Sequence, residues 1–268
     1  MSICFQSSAL SGGASAPEPK YKEFNRLMDA NKLEEARKQA LERIKRYPDD
    51  YLGFRDLARI SFEKGNYDEA LGYFDQALKV NPAIADLHLW KANCYVRKEE
   101  YTKGRVEINK ALSMDAKIGY AYCLKSRIDL DERKWQSCIS NASQALKFDP
   151  NDSDSLGNRG SALAHLNRLD EALKDLNRAL ELAPGNAISY NNRGMLYCEM
   201  NRFRDALADL NKAFLLTPSC LQAMKPAARC SRHCTSIKRP WPTQIMQLSW
   251  GRAGKPTRFA IGLLHICI

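Results

Sequence analysis

Pro48, Pro82, Pro150, Pro184 and Pro218 stand one or two steps of a single interval apart, the step being 82 − 48 = 34 in sequence number. The step that would fall at position 116 is taken by Ala116. The same interval joins "EALKDLNRALELAP" (Glu171 to Pro184) to "DALADLNKAFLLTP" (Asp205 to Pro218). Ala77, Ala111, Ala145, Ala179 and Ala213 keep the phase. So do the small residues Ala58, Ala92, Ser126, Gly160 and Gly194, and a third set, Ala36, Ala70, Gly104, Cys138, Ala172 and Ala206. A chain that repeats at this period is committed to stacked, quasi-one-dimensional units rather than one closed core.

Within a unit, apolar residues recur every three or four positions, as in Leu169, Ala172, Leu173, Leu176, Ala179 and Leu180. That spacing lines one face of an amphipathic helix. Short polar segments such as "HLNR" and "KGN" divide each unit into two helices. Proline closes the second, because it has no N–H for the helix ladder and its ring clashes with the preceding turn. Two helices cross closely only where one of them carries Gly, Ala or Ser, which gives the small residues their role. One unit cannot bury its apolar face, whereas stacked units can.

Composition fits a soluble globular chain, with 44% hydrophobic and 27% charged residues. No apolar run reaches the ~18 residues of a membrane helix; the longest candidate, "FAIGLLHICI", contains His265. The start, "MSICFQSSALSGGASA", lacks a basic beginning and a sustained apolar stretch, so residues 1–16 read as a flexible tail and the expected location is cytoplasmic. Thiols are expected to stay reduced there. The net charge of +10 is concentrated at one end. Leu221 to Ile268 hold eight Lys and Arg and no Asp or Glu, so Met1 to Cys220 carry 41 − 8 = 33 basic groups against 31 acidic ones.

The pattern resembles the tetratricopeptide (TPR) repeat: a helix–turn–helix of about 34 residues, with W-x2-L-G-x2-Y, then A-x3-F, then P. Ala70, Phe74 and Pro82 match its second half, and Gly194 and Tyr197 match its first half in another unit. The resemblance implies an all-α, right-handed α-solenoid of about six units, at 17–50, 51–84, 85–118, 119–152, 153–186 and 187–220. Unit 85–118 departs most, with Gly104 and Ala116 at usual Ala and Pro positions, and unit 17–50 has Phe24 at a normally small position.

In this family the first helices of successive units line a groove that holds an extended peptide or a partner's helix. Carried along the phase, that resemblance implies a peptide- or partner-binding set of Arg55, Arg59, Leu89, Trp90, Asn93, Arg97, Tyr120, Leu124, Arg127, Asn158 and Asn192. Leu89, Trp90, Tyr120 and Leu124 are expected to form an exposed apolar and aromatic anchor patch. Arg55, Arg59, Arg97 and Arg127 add a two-pronged chemistry suited to carboxylates. Asn158 and Asn192, one repeat apart, are similar to two rungs of the asparagine ladder of O-GlcNAc transferase. The alternative is a solvated face with inter-repeat packing only. A carboxylate clamp for chaperone tails finds Asn93 in phase, but Leu89 and Leu124 stand where basic and asparagine residues are needed.

No catalytic constellation accompanies the repeats. "GRAGKPT" lacks the spacing and the preceding strand of a phosphate loop. His88 and His165 read as packed or solvated histidines, and "CSRHC" (230–234) lacks the second ligand pair of a structural zinc site. Cys138 occupies a small packing position. The expectation is a non-catalytic scaffold or adaptor without cofactor, metal or small-molecule substrate, whose partner is a protein or peptide. Alternatives are a targeting or regulatory portion of a larger or truncated enzyme or co-chaperone, or association of the basic tail with nucleic acid or a membrane surface. The phase breaks at Pro226. Residues 221–268 are then a poorly ordered basic tail, a small element over the last repeat, or the product of a changed frame or splice. A last repeat left uncapped would favour self-association.

Overall fold

The computed structural model describes residues 19–216. The expected tail 1–16, the basic segment 221–268 with its CSRHC and GRAGKPT motifs, and the end of the last unit lie outside the described residues. The described chain is all-α: α1 (Pro19–Asp29), α2 (Leu33–Arg46), α3 (Tyr51–Glu63), α4 (Tyr67–Val80), α5 (Ala85–Arg97), α6 (Tyr101–Met114), α7 (Gly119–Asp131), α8 (Trp135–Phe148), α9 (Ser153–His165), α10 (Leu169–Leu182), α11 (Ala187–Glu199) and α12 (Phe203–Leu216). Odd-numbered helices are the first helices of the units and even-numbered ones the second.

Three local devices recur at the period of the sequence. Several first helices are capped by a side-chain oxygen: Asp50 accepts from the Leu52 N–H, Asp152 from Ser155, and Asn186 from Ile188 and Ser189. Second helices end on a residue that has left helical geometry, with φ of −136° at Tyr47, −138° at Asn81, −133° at Asp149 and −131° at Ala183. Each of these precedes a proline, which disfavours the helical conformation in its predecessor. Asp115, before Ala116, is also extended without a following proline, and its carboxylate accepts from the Lys117 N–H.

The third device is the turn between paired helices. Asn31, Gly65, Glu99, Arg133, Asn167 and Asn201 all have φ between 55° and 78°, one left-handed residue per unit. Four of the six are Gly or Asn, the residues that enter this region most readily; Glu99 and Arg133 carry a Cβ penalty that Gly65 avoids.

Small residues make the helix crossings. A Cβ on Gly160 would lie 2.9 Å from Leu176 Cγ and 3.1 Å from the Ala172 carbonyl oxygen. One period later, a Cβ on Gly194 would meet Leu210 Cγ at 2.9 Å. Ala58, Ala92 and Ser126 at the same phase are fully buried.

The helices fall into two compact bodies that divide between Leu124 and Lys125, within α7. In the first body each helix from α1 to α6 packs on the next. Its core joins Ala58, Phe62, Phe74, Leu87, Trp90 and Cys94, with a second cluster of Phe24, Leu27, Ala36 and Ile60. In the second body α8 to α12 pack in sequence and α9 also touches α11. Its core centres on Leu163, Ala172, Leu176 and Leu196.

Candidate functional site

Side chains join the first helices of neighbouring units. In the first body, Arg59 Nη1 on α3 donates to Asn25 Oδ1 on α1 at 3.1 Å. The Arg59 guanidinium stands 5.3 Å from the Phe24 ring centre and 5.8 Å from that of Trp90 on α5. Three successive first helices thus meet at one arginine. In the second body, Asn158 Nδ2 on α9 donates to Ser126 Oγ on α7 at 2.9 Å, and Asn192 Nδ2 on α11 donates to Ser161 Oγ on α9 at 2.8 Å.

The charged residues of the first helices are unequally committed. Arg55 Nε and Nη2 both donate to Asp56 Oδ1, at 3.2 and 2.8 Å. Burial pushes the Asp56 carboxyl up, against the opposing pull of Arg55. Burial likewise raises Asp86, opposed by Arg55 and Arg59 and by a hydrogen bond from the Trp90 indole. Arg127 Nε pairs with Asp131 at 3.1 Å, and Arg97 is exposed. Asn93 Nδ2 donates to the Tyr120 hydroxyl at 3.1 Å.

The structure corrects one expectation about this set. Leu89, Trp90 and Leu124 are only 2%, 8% and 5% exposed. Trp90 packs edge-on against Phe62 at 5.5 Å and stacks on Phe74 at 6.1 Å. These three residues are core rather than an exposed anchor patch. The reason lies in the element: nine of the 13 residues of α5 are buried, because this first helix is flanked by a second helix on either side, α4 and α6. Tyr120 is half-buried. The two asparagines already donate to serine hydroxyls.

A second set of side chains is invisible in the apolar pattern. Arg159 on α9 forks onto both oxygens of Asp175 on α10, at 2.6 and 2.8 Å, and reaches back to Ser143 Oγ on α8. One period later Arg193 on α11 forks onto Asp209 on α12 and reaches back to Asn177 on α10. In the first body Lys91 bridges Asp75 on α4, at 2.7 Å, and Glu107 on α6, at 3.6 Å. The rule is a base on a first helix, with an acceptor before it and an acid after it, each at a sequence separation of 16. That spacing is the signal the sequence offers. Glu107 is buried and also meets His88 Nδ1 at 2.6 Å and Lys110 Nζ at 2.9 Å. Burial alone would raise its carboxyl, but the His88 and Lys110 hydrogen bonds and the Lys91 charge hold it below the ordinary glutamate range. His88 is therefore a packed histidine.

Nothing in the described residues gathers three His, Cys, Asp or Glu side chains in a metal-holding group. No described helix is long and apolar enough to cross a membrane. Burial pushes the thiols of Cys94 and Cys138 up to about 12, which makes them packing residues rather than nucleophiles.

Comparison with known proteins returns one architecture. One tetratricopeptide repeat model matches residues 151–214, and another matches 21–78 and 55–119. A tetratricopeptide repeat and J domain-containing co-chaperone DNJ1 of Cryptococcus neoformans is 24% identical over 47% of this chain and 26% of its own length. An Hsp70-Hsp90 organizing protein of Triticum aestivum is 22% identical over 42% of this chain and 20% of its own length. The chain thus spans about a quarter or less of these relatives. Among solved structures, the APC/C hetero-tetramer Cut9-Hcn1 superposes with a TM-score of 0.69 at 16% identity, covering 79% of this chain and 45% of that one. The thermophilic TPR protein TTC0263 of Thermus thermophilus superposes at 0.58 with 21% identity, covering 67% and 98%. These likenesses concern the fold, an all-α helical-repeat solenoid. With the period, the paired helices and the family matches in agreement, the chain belongs to the tetratricopeptide repeat family.

Proposed function

We propose that the protein is a non-catalytic scaffold that binds a peptide or a partner's helix across the face of its first helices. One observation carries the reading. Polar side chains join neighbouring first helices at Asn25–Arg59, Ser126–Asn158 and Ser161–Asn192. A ligand laid across those helices touches more than one unit, so its binding adds contacts repeat by repeat. The arginines and asparagines of this face remain the proposed contact residues, with Tyr120 beside them. The buried Leu89, Trp90 and Leu124 act behind them by holding the face in shape. The cytoplasm is the proposed location.

A second reading is favoured by the co-chaperone relatives: the repeats are the targeting portion of a larger chaperone-associated assembly. It predicts partners among chaperones, although the in-phase Asn93 already donates to Tyr120.

Affinity capture from native lysate tests the main reading. Wild type is compared with an Arg59→Gln/Asn192→Ala variant and with Leu41→Ser/Val106→Ser, which alters exposed residues of second helices. Loss of the same partners with the first pair alone supports the reading. Loss with the second pair alone overturns it.

A further inference from the structure

The last pair of described helices differs from the pair before it. On α10, Leu176 and Leu180 are 0% and 6% exposed, and Leu176 shares a core with Leu196 on α11, the first helix that follows. One period later, on α12, Leu210 is half-buried and Phe214 is 41% exposed. The apolar seam that α11 seals on α10 is sealed less completely on α12.

The other wall of this seat belongs to α11. Phe62 on α3 packs edge-on against Trp90 on α5, the next first helix. Ala164 on α9, at the same phase, packs on the core that contains Leu196 of α11. Cys198 on α11 stands one period after Ala164, so it faces the place a further first helix would take. Cys198 is disulfide-bonded. The other described cysteines, Cys94, Cys123 and Cys138, are free thiols. Its partner is therefore Cys4, Cys220, Cys230, Cys234 or Cys267, outside the described residues. Four of these five lie in 217–268, the stretch that follows α12 directly. A disulfide holds its two Cα atoms within about 7 Å, so the bond draws another part of the chain to this seat. Trp241, Trp250 and the apolar run 259–268 give that stretch side chains that suit the seam.

We infer that residues 217–268 of the same chain occupy the seat between Cys198 of α11 and the Leu210–Phe214 seam of α12, fastened there by a disulfide from Cys198 and released by reduction. Apolar docking raises the effective concentration of the two thiols, and the bond in turn limits the freedom of the undocked segment. The bond forms by exchange with a small-molecule disulfide such as oxidised glutathione. One protein thiolate attacks a sulfur of that molecule and expels a glutathione thiolate. The second protein thiolate attacks the protein sulfur of the mixed disulfide and expels the other. Two protein cysteines are oxidised, one oxidised glutathione is reduced to two thiols, and the two protons go to the expelled thiolates. In a reducing compartment the bond is transient, so the redox state sets whether this end of the array is open to a partner.

The test treats the full chain with oxidised or reduced glutathione, alkylates the remaining thiols and maps the peptides by mass spectrometry. Oxidised glutathione should link Cys198 to Cys220, Cys230, Cys234 or Cys267 within one chain, and reduced glutathione should remove the link. Trypsin reads docking separately, because the stretch carries eight Lys and Arg. Cleavage there should be about tenfold slower in the oxidised chain than in the reduced one, and Cys198→Ser should cleave at the reduced rate under both conditions. Phe214→Ser should speed cleavage of the oxidised chain about threefold while the link survives, which tests the seat apart from the bond. Alkylated Cys198 after oxidation, a link to Cys4 or to a second copy, or equal cleavage in both redox states would overturn the assignment. The scaffold reading would stand in each of those cases, since it rests on contacts between first helices.

Discussion

At the scale of single residues, the informative positions are those where the repeat departs from its own rule. The turn between paired helices demands a left-handed residue in every unit, and Glu99 and Arg133 supply it at φ of 60° and 61°. That conformation costs an L-residue roughly 1–2 kcal/mol, and glycine offsets part of the relief through its greater unfolded-state entropy. Glu99→Gly and Arg133→Gly should each stabilise the protein by about 1 kcal/mol in urea denaturation; a loss of stability would mean that the turn is not under strain. The opposite holds at the crossings. Gly160→Val forces a branched side chain into a space where a first Cβ already lies 2.9 Å from Leu176 Cγ, and should cost about 1–3 kcal/mol. The crossing positions are legible in the sequence because small residues recur there at the full period. The left-handed positions are not, since Glu and Arg hide the conformation that Asn and Gly advertise. Trp90 misleads for a related reason. Periodicity assigns a residue to a helix but does not say how completely that helix is surrounded, and aromatic character alone does not separate an anchor from a core residue.

Helices are held in register by the charged rungs as well as by apolar packing. Arg193 and Asp209 are 19% and 8% exposed, so their pairing is largely out of water. Removing the arginine strands a buried carboxylate, and Arg193→Ala should therefore destabilise by about 2–4 kcal/mol. Arg193→Ala/Asp209→Ala should recover part of that loss, and a double variant no better than the single would show that packing rather than charge is responsible. The Lys91–Glu107 rung adds a pH dependence. The folded-state carboxyl of Glu107 titrates below its unfolded value. Its contribution is present above the ordinary glutamate range and is lost as pH falls through the lowered folded value. Asp56 and Asp86 act in the other direction, because burial raises both; their contribution is intact below the ordinary aspartate range and is lost as pH rises from there through the raised folded values. Glu107→Gln should flatten the acid limb of the thermal-stability profile below about pH 4.5, and an unchanged limb would remove the rung from the account. These contacts set a base midway between two acceptors, at a sequence separation of 16 on either side, a spacing that apolar periodicity does not register.

For the molecule as a whole, an all-α repeat array sets first helices beside second helices in each of its two bodies. The units are readable from the sequence because their period is written in proline and small residues. The face is readable only as a set of positions. Which arginine is held between rings and which is paired depends on side-chain geometry that no spacing encodes. The central claim is that partners engage the first helices and leave the second helices untouched. The most direct measurement is hydrogen exchange of the full chain, free and bound to a captured partner. The account predicts added protection confined to first helices, with α3 and α5 or α9 and α11 leading, and unchanged exchange along α2, α4, α10 and α12. Protection concentrated on those second helices, or only outside residues 19–216, would contradict it.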